Sequence, residues 1–326
     1  MTRWLAVAVA VAVVLWSGWW FVGSYGVRRG VEGAAADLRA GGWDVAWDDL
    51  SMAGFPNRFD LTVDAPRATD PTGAWTVSAP FVQVFALSYR LNHVIAVAPD
   101  TITVDGPAGE VVVTDDDLRA SAVVAPGPDL ALTRATVAGE GIGIEWQGRT
   151  VGVGAAQWAL RLGEGARAYD VALGAERIAL PPAIRELVDP DGRMPDVVGA
   201  LTGRGTAILD RPLDRHLAGP VGVEALTLED AALRWGDVSL RLRGTLTADA
   251  AGRAEGALEV NVGDVDRLMD LVEPYLPQGQ ARLVRTLAAA AVAGAPGGWL
   301  PLPVERGAVR FGPLTVAMLP VMDPPE

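Results

Sequence analysis

The chain contains no cysteine and no lysine, and only two of its 326 residues are histidine. Without cysteine there are no disulfide bonds, thiolate nucleophiles, iron–sulfur clusters or thiolate zinc sites. All 27 basic residues are arginine, a bias that we attribute to the base composition of the gene. The formal net charge is −13, whereas binding to nucleic-acid phosphates needs a concentrated basic surface. We therefore expect no nucleic-acid partner.

Charge is also missing from the start of the chain, where residues 4–22 are uncharged. A helix of 19 residues is about 28 Å long, close to the thickness of a bilayer's hydrocarbon core. Aromatic residues gather at its end, as they do at membrane–water boundaries: Trp16, Trp19, Trp20 and Phe21. We interpret residues 1–25 as a membrane anchor with interfacial tryptophans.

A cleaved signal peptide is the main alternative to a retained anchor. Signal peptides have shorter apolar regions and small residues at the cleavage site, where this chain offers only the poor pair Val22 and Ser24. The orientation is ambiguous, because Arg28 and Arg29 follow the span and argue against export of the body. A very short N-terminal tail before an apolar run is typical of export signals, so we expect the body outside the inner membrane.

Period-two alternation dominates the remaining sequence. Residues 58–64 place Phe59, Leu61 and Val63 on one face and polar residues on the other, and residues 238–249 repeat this pattern. Strands with one polar face are typical of antiparallel sheets. Half of the residues are apolar, and 38 glycines and 23 prolines indicate a folded chain with many turns.

Helical periodicity returns near the C-terminus. Asp264 is a suitable N-cap for a helix beginning at Val265, and a second helix is predicted over residues 280–293. A final hairpin is predicted over residues 304–318. The fold class is therefore mainly β: a transmembrane helix, curved and extended antiparallel sheets with an apolar inner face, and a helix pair inserted before the last hairpin. We divide the chain into the anchor, a β-rich half over residues 26–182 and a second over residues 183–326, with helices at about 264–293.

Several short motifs together resemble a known family. They include residues 54–61 (GFPNRFDL), Ala65-Pro66, Ala79-Pro80 and Trp235-Gly236, followed by residues 312–320. Their order is similar to that of an uncharacterised bacterial envelope family, domain of unknown function 2125. The resemblance implies an envelope protein with an N-terminal anchor and no assigned activity. A weaker similarity to the AsmA-like superfamily implies an inner-membrane anchor, curved periplasmic sheets with an apolar inner face, and a role in moving or organising lipid.

The polar residues offer few catalytic or metal-binding patterns. His93 could act as a general base with Asp100 or Asp105, although a histidine at a turn or strand edge is the simpler interpretation. Residues 115–117 are three aspartates that could bind Ca²⁺, or form a solvated turn. The two histidines lack helical metal-binding spacing. We predict no cofactor, no metal and no enzymatic activity.

The apolar faces of the strands provide the candidate site. We expect an acyl-chain groove lined by some of eleven residues: Trp75, Val82, Val84, Ile142, Ile144, Trp146, Trp158, Leu160, Leu240, Leu242 and Leu246. An incompletely covered apolar face needs a lipid or a protein partner to exclude water. The leading hypothesis is a lipid-binding envelope protein. The alternatives are a ligand-free scaffold that binds other envelope proteins, and a hydrolase that uses His93.

Overall fold

The computed structural model describes residues 2–217, 219, 221–275, 281–312 and 314–322. By its contacts the chain forms two units. Unit 1 comprises residues 1–126 and 137–149, and unit 2 comprises residues 127–136 and 150–326. The predicted boundary between residues 182 and 183 stays a prediction. The predicted fold class is confirmed as a mainly antiparallel β protein with a long apolar N-terminal helix and a helix pair before the final strands.

Unit 1 begins with one unbroken helix, α1 (Thr2–Ala40), which joins the predicted anchor to the short helix predicted after it. The helix ends at a Schellman motif. The amide of Trp43 donates to the carbonyl of Leu38 at 3.1 Å, and Gly42 donates to Arg39 at 3.0 Å. Gly42 has a φ of +90°, the left-handed conformation that this motif requires. In the part of the chain that is described, α1 alone is long and apolar enough to cross a membrane.

Eleven strands follow α1. The last of them, β11, begins in unit 2 and ends in unit 1. They are β1 (Asp44–Ala46), β2 (Asp49–Ala53), β3 (Arg58–Asp64), β4 (Arg67–Thr69), β5 (Thr76–Ser78), β6 (Phe81–Leu87), β7 (Arg90–Val97), β8 (Thr101–Gly106), β9 (Gly109–Thr114), β10 (Arg119–Val124) and β11 (Leu132–Trp146). They pair in two antiparallel ladders. The first is β2–β3–β6–β7–β10. The second is β1–β4–β5–β8–β9–β11.

The chain passes between the two ladders at short interruptions, three of which are Ala-Pro dipeptides: Ala65-Pro66, Ala79-Pro80 and Ala98-Pro99. Proline has no amide hydrogen, so it ends ladder pairing at its position. Neighbouring interruptions bond to each other instead. The amide of Ala65 donates to the carbonyl of Pro80 at 2.8 Å, and that of Ala79 donates to Pro66 at 3.2 Å. Proline thus divides each long alternating segment into two short strands.

Three tryptophans attach α1 to the first ladder. Their indole N–H groups donate to main-chain carbonyls: Trp16 to Pro56 at 3.1 Å, Trp19 to Ser88 at 3.0 Å and Trp20 to Arg58 at 2.6 Å. Trp20, which the sequence groups with the interfacial aromatics, is only 7% exposed. Its ring stacks on Phe59 with centroids 6.0 Å apart. This part of the predicted anchor is therefore also part of the core of unit 1.

Unit 2 is an antiparallel meander in which each strand pairs with the next. Its strands are β12 (Arg149–Leu162), β13 (Ala168–Ala179), β14 (Val197–Leu209), β15 (Val223–Trp235), β16 (Val238–Ala248), β17 (Ala254–Val262), β18 (Trp299–Glu305), β19 (Ala308–Phe311) and β20 (Leu314–Met318). One apolar cluster forms around Tyr169, whose hydroxyl donates to the carbonyl of Leu132 at 3.1 Å. A second forms around Ala254 and Val304.

Three α-helices interrupt the meander. They are α2 (Pro182–Val188), α3 (Val265–Val272) and α4 (Ala281–Gly294), with residues 276–280 of the predicted helical region outside the described residues. Asp264 is the N-cap of α3 as predicted, accepting a hydrogen bond from the amide of Arg267 at 3.0 Å. Arg285 of α4 joins the two helices by donating to three acidic side chains: Asp270 at 2.8 Å, Glu273 at 3.1 Å and Asp266 at 3.3 Å.

Gly23 permits the close approach of α1 to the sheet. A Cβ atom there would lie 2.4 Å from Cζ of Phe59, which is 1% exposed and cannot move aside. We expect Gly23→Ala to lower the free energy of unfolding by about 1–3 kcal/mol through overpacking. Gly30→Ala is the matched control, because nothing lies within 4 Å of that position and alanine should stabilise the helix by about 0.5–1 kcal/mol. Denaturant unfolding in detergent micelles measures both, and equal stabilities would contradict the close packing.

Arg285 should make the helix pair sensitive to acid. Its hydrogen bond lowers the pKa of Asp270 below the ordinary value, so the folded carboxylate releases its proton more readily than the unfolded one. The resulting stabilisation is present above about pH 4 and is lost as the pH falls below it. We expect Arg285→Met to reduce the hydrogen-exchange protection of α3 and α4 at pH 7, and the difference between wild type and variant to shrink as the pH falls below about 4. Arg282→Met is the control, and an equal effect of both substitutions would contradict the prediction.

Candidate functional site

An apolar groove of about 420 Å³ lies in unit 1 between the C-terminal part of α1 and both ladders. Its volume is within the range of ligand-binding cavities. Only Arg67 and Ser78 contribute polar side chains. The lining residues are Val31, Ala34, Ala35, Leu38, Val45, Ala46, Trp47, Val63, Pro66, Arg67, Ala68, Val77, Ser78, Ala79, Val82 and Ile102. A surface of this composition suits a hydrocarbon chain.

Small side chains leave the space for the groove. The helix contributes Val31, Ala34, Ala35 and Leu38, which lie at the i, i+3, i+4 and i+7 spacing of one helical face. About four to five turns earlier, the same helix contacts the sheet through the large side chains of Trp16, Trp19 and Trp20. At the groove, Ala34 and Ala35 are too small to fill the corresponding space. On the sheet side, the small residues are Ala46 at the end of β1, Ala68 of β4, and Pro66 and Ala79 of two Ala-Pro interruptions.

Two arginines lie at or near the groove. The guanidinium of Arg39 lies 5.2 Å from the ring centre of Trp47, and its Nε donates to the carbonyl of Val45 at 2.9 Å. Arg39 therefore holds the segment after β1 against the end of the helix. Arg67 is the charged lining residue, and it is exposed. Its guanidinium makes neither a hydrogen bond nor an ion pair with any described residue, so it is free to meet an anion.

Unit 2 has a larger cavity of about 510 Å³ with a different chemistry. Five charged residues of both signs line it: Arg134, Arg161, Asp170, Arg204 and Glu229. Four of them form two pairs. The Nη2 atom of Arg161 donates to Asp170 at 2.7 Å, and this hydrogen bond lowers the pKa of the carboxyl. Arg204 lies 4.0 Å from Glu229. A cavity lined by five charged side chains offers less to an apolar ligand than the groove of unit 1.

The eleven predicted groove residues are divided between the two units. Only Val82 lines the groove of unit 1, and Leu160 lines the cavity of unit 2. Leu160 and Leu246 are buried in the two core clusters, and Leu242 packs against one of them. Trp75, Trp146 and Trp158 are exposed. The other four, which also lie outside the groove, are Val84, Ile142, Ile144 and Leu240.

The predicted polar candidates occupy structural positions. The Nε2 atom of His93 lies 2.9 Å from the hydroxyl oxygen of Ser121 on the neighbouring strand, and neither Asp100 nor Asp105 bonds to the ring. Asp115 accepts a hydrogen bond from the amide of Leu118 at 2.7 Å and caps the turn between β9 and β10. Across the described residues, no three histidine or acidic side chains converge as a metal site requires.

The helical side of the groove was missed at the sequence level, although a signal for it was present. Val31, Ala34, Ala35 and Leu38 repeat with helical spacing directly before the two glycines that end α1. Alanine is apolar but small, and an alanine-rich stretch indicates a helix rather than a binding surface. Its role becomes visible only when the strands opposite the helix are known.

Comparison with known proteins identifies the family but provides no structural relative. Neither the curated proteins nor the solved structures give a match to this chain. A family model described as "Uncharacterized protein conserved in bacteria (DUF2125)" matches residues 20–320, which include the second half of α1 and all of the strands. The resemblance carried by residues 54–61 and the Ala-Pro dipeptides is thereby confirmed, and the chain belongs to this bacterial family.

Proposed function

We propose that this protein is a single-pass inner-membrane protein whose periplasmic β-rich body binds an acyl chain in the groove between α1 and the ladders. The observation that carries the proposal is the groove itself, about 420 Å³ in volume and apolar except for Arg67 and Ser78. Removing a hydrocarbon chain from water contributes about 0.8 kcal/mol for each buried CH₂ group. The role is passive shielding of an apolar ligand, without catalysis.

Arg67 suggests the class of lipid. It is exposed at the groove and unpaired among the described residues. A guanidinium forms strong, geometrically specific hydrogen bonds with carboxylates and phosphates. We therefore propose an amphiphile whose chain lies in the groove and whose anionic head group binds Arg67.

The packing of α1 supports a retained anchor rather than a cleaved signal peptide. Cleavage near Ser24 would remove Trp20 and Gly23, which cover the ring of Phe59. It would also leave the carbonyls of Pro56, Ser88 and Arg58 without their indole donors. Loss of hydrogen-bond partners and of apolar cover is destabilising, so the folded body favours keeping the helix.

Filling part of the groove should weaken lipid binding. We expect Ala34→Phe to reduce the lipid that co-purifies with the protein by roughly tenfold, because a new ring would displace several buried CH₂ groups. Ala34 lines the groove yet is exposed, so the fold should tolerate the change. Ala36→Phe is the matched control, because Ala36 is exposed on the same helical turn and does not line the groove. Mass spectrometry of extracts from the purified proteins measures the result.

Arg67→Gln tests the contribution of the head group to binding separately from that of the hydrocarbon chain. It should weaken binding of a long-chain fatty acid and leave binding of the corresponding alcohol unchanged. Equal lipid content in wild type, Ala34→Phe and Ala36→Phe would contradict the groove. A stable protein partner captured by lipid-free protein would instead favour a scaffold.

The proposed orientation predicts the activity of reporters fused to the C-terminus. A phosphatase that is active only in the periplasm should be active, and a fluorescent protein that matures only in the cytoplasm should stay dark, because export signals carry the downstream chain across the membrane. Deleting residues 2–40 should reverse both results and is the control. Fluorescence from the full-length fusion would place the body in the cytoplasm and contradict the proposal.

A further inference from the structure

The part of α1 that extends freely from unit 1 is too short to cross a bilayer. Residues 4–15 are exposed along their whole length, and they amount to about 18 Å of helix. A hydrocarbon core is about 30 Å thick. The uncharged segment reaches about 28 Å only when residues 16–22 are included. If α1 spans the membrane, these residues must therefore lie at its apolar boundary.

Residues 16–22 are also bonded to one end of the first ladder. Trp16 donates to the carbonyl of Pro56 and Trp19 donates to that of Ser88. These carbonyls belong to two turns, residues 54–57 between β2 and β3 and residues 88–89 between β6 and β7, which we call the tip loops. Because the indoles contact the tip loops directly, the tip loops must lie at the same depth in the membrane as residues 16–22. We propose that the tip loops are inserted into the interfacial layer of the bilayer that α1 spans.

The exposed side chains of the tip loops suit this environment. Phe55 is 53% exposed and Tyr89 is 67% exposed. The ring centroid of Phe55 lies 5.9 Å from that of Phe21, an exposed residue of the uncharged segment. The apolar surface therefore continues from the helix onto the loop without interruption. Aromatic rings at a membrane boundary bury apolar area while remaining close to water.

The main chain of the tip loops is suited to low water content as well. Unpaired amide and carbonyl groups are costly at membrane depth, and irregular segments are tolerated where other groups satisfy them. Gly54 accepts from the amide of Arg58 at 2.8 Å, and Asn57 accepts from that of Ser88 at 2.9 Å. The tryptophans supply donors to Pro56 and Ser88. Indoles that would otherwise bind lipid head groups thus bind the loops instead.

The absence of cysteine allows a direct test on the full-length protein. Phe55→Cys and Tyr89→Cys, each labelled with an environment-sensitive fluorophore, report on the tip loops. Ala74→Cys is the matched control in the same unit. It lies in the β4–β5 turn, where Pro71 approaches Gly42 beyond the end of α1, about 36 Å along the helix from Trp16. The proteins are reconstituted into vesicles of phosphatidylcholine and phosphatidylglycerol containing lipids with nitroxide groups on their acyl chains.

We expect nitroxide quenching at positions 55 and 89 to exceed that at position 74 by roughly threefold, since interfacial aromatic positions lie next to the acyl chains. The inference rests on the proposed membrane span, so extraction with alkaline carbonate is measured in parallel. Protein that resists extraction but shows equal quenching at all three positions would overturn the inference and leave the span intact. Protein that is extracted would overturn both.

Discussion

Three hydrogen bonds from indole N–H groups to main-chain carbonyls determine how the rest of unit 1 is arranged. They fix two consecutive turns of α1 against the ends of β3 and β6, and the stacked pair Trp20 and Phe59 fills the space between helix and sheet. From this point α1 continues without a break past both ladders, and residues of both ladders line the groove with it. At Trp16, Trp19 and Trp20, large side chains fill the space between α1 and the sheet. At Ala34 and Ala35 the side chains are small, and the groove remains between them and the sheet.

The proline interruptions complete this arrangement from the sheet side. Continuous strands of ten or more residues would pair along their full length beneath the helix. Ala65-Pro66 instead ends the pairing of β3 in the first ladder and begins that of β4 in the second, and Ala79-Pro80 leads back from β5 of the second ladder to β6 of the first. Pro66 and Ala79 both line the groove. The family motifs that first suggested a relationship are thus the residues that shape this surface. Their chemistry is that of backbone geometry, which explains why they indicate a family without indicating a reaction.

Much of the fold follows from patterns that are local in the sequence. Alternation identified β3 and β16 because each of these strands has one buried and one wetter face, and Asp264 identified the start of α3 because capping involves only a few neighbouring residues. The site was less predictable. Burial of Leu160 and Leu246 depends on strands far away in sequence, so alternation could not separate core residues from groove residues. Alanine at positions 34 and 35 signals a groove only when the opposing surface is known.

The unbroken course of α1 also determines how far the groove lies from the membrane boundary proposed at Trp16. Val31 and Leu38 follow Trp16 by 15 and 22 residues, which places the groove about 23–33 Å beyond that tryptophan along the helix axis. This separation exceeds the depth of one head-group layer, because the two layers together add only about 10–15 Å to the hydrocarbon core. A lipid bound there would have left its leaflet entirely. The helix would then act as a spacer that holds the bound lipid in the aqueous compartment, away from the bilayer.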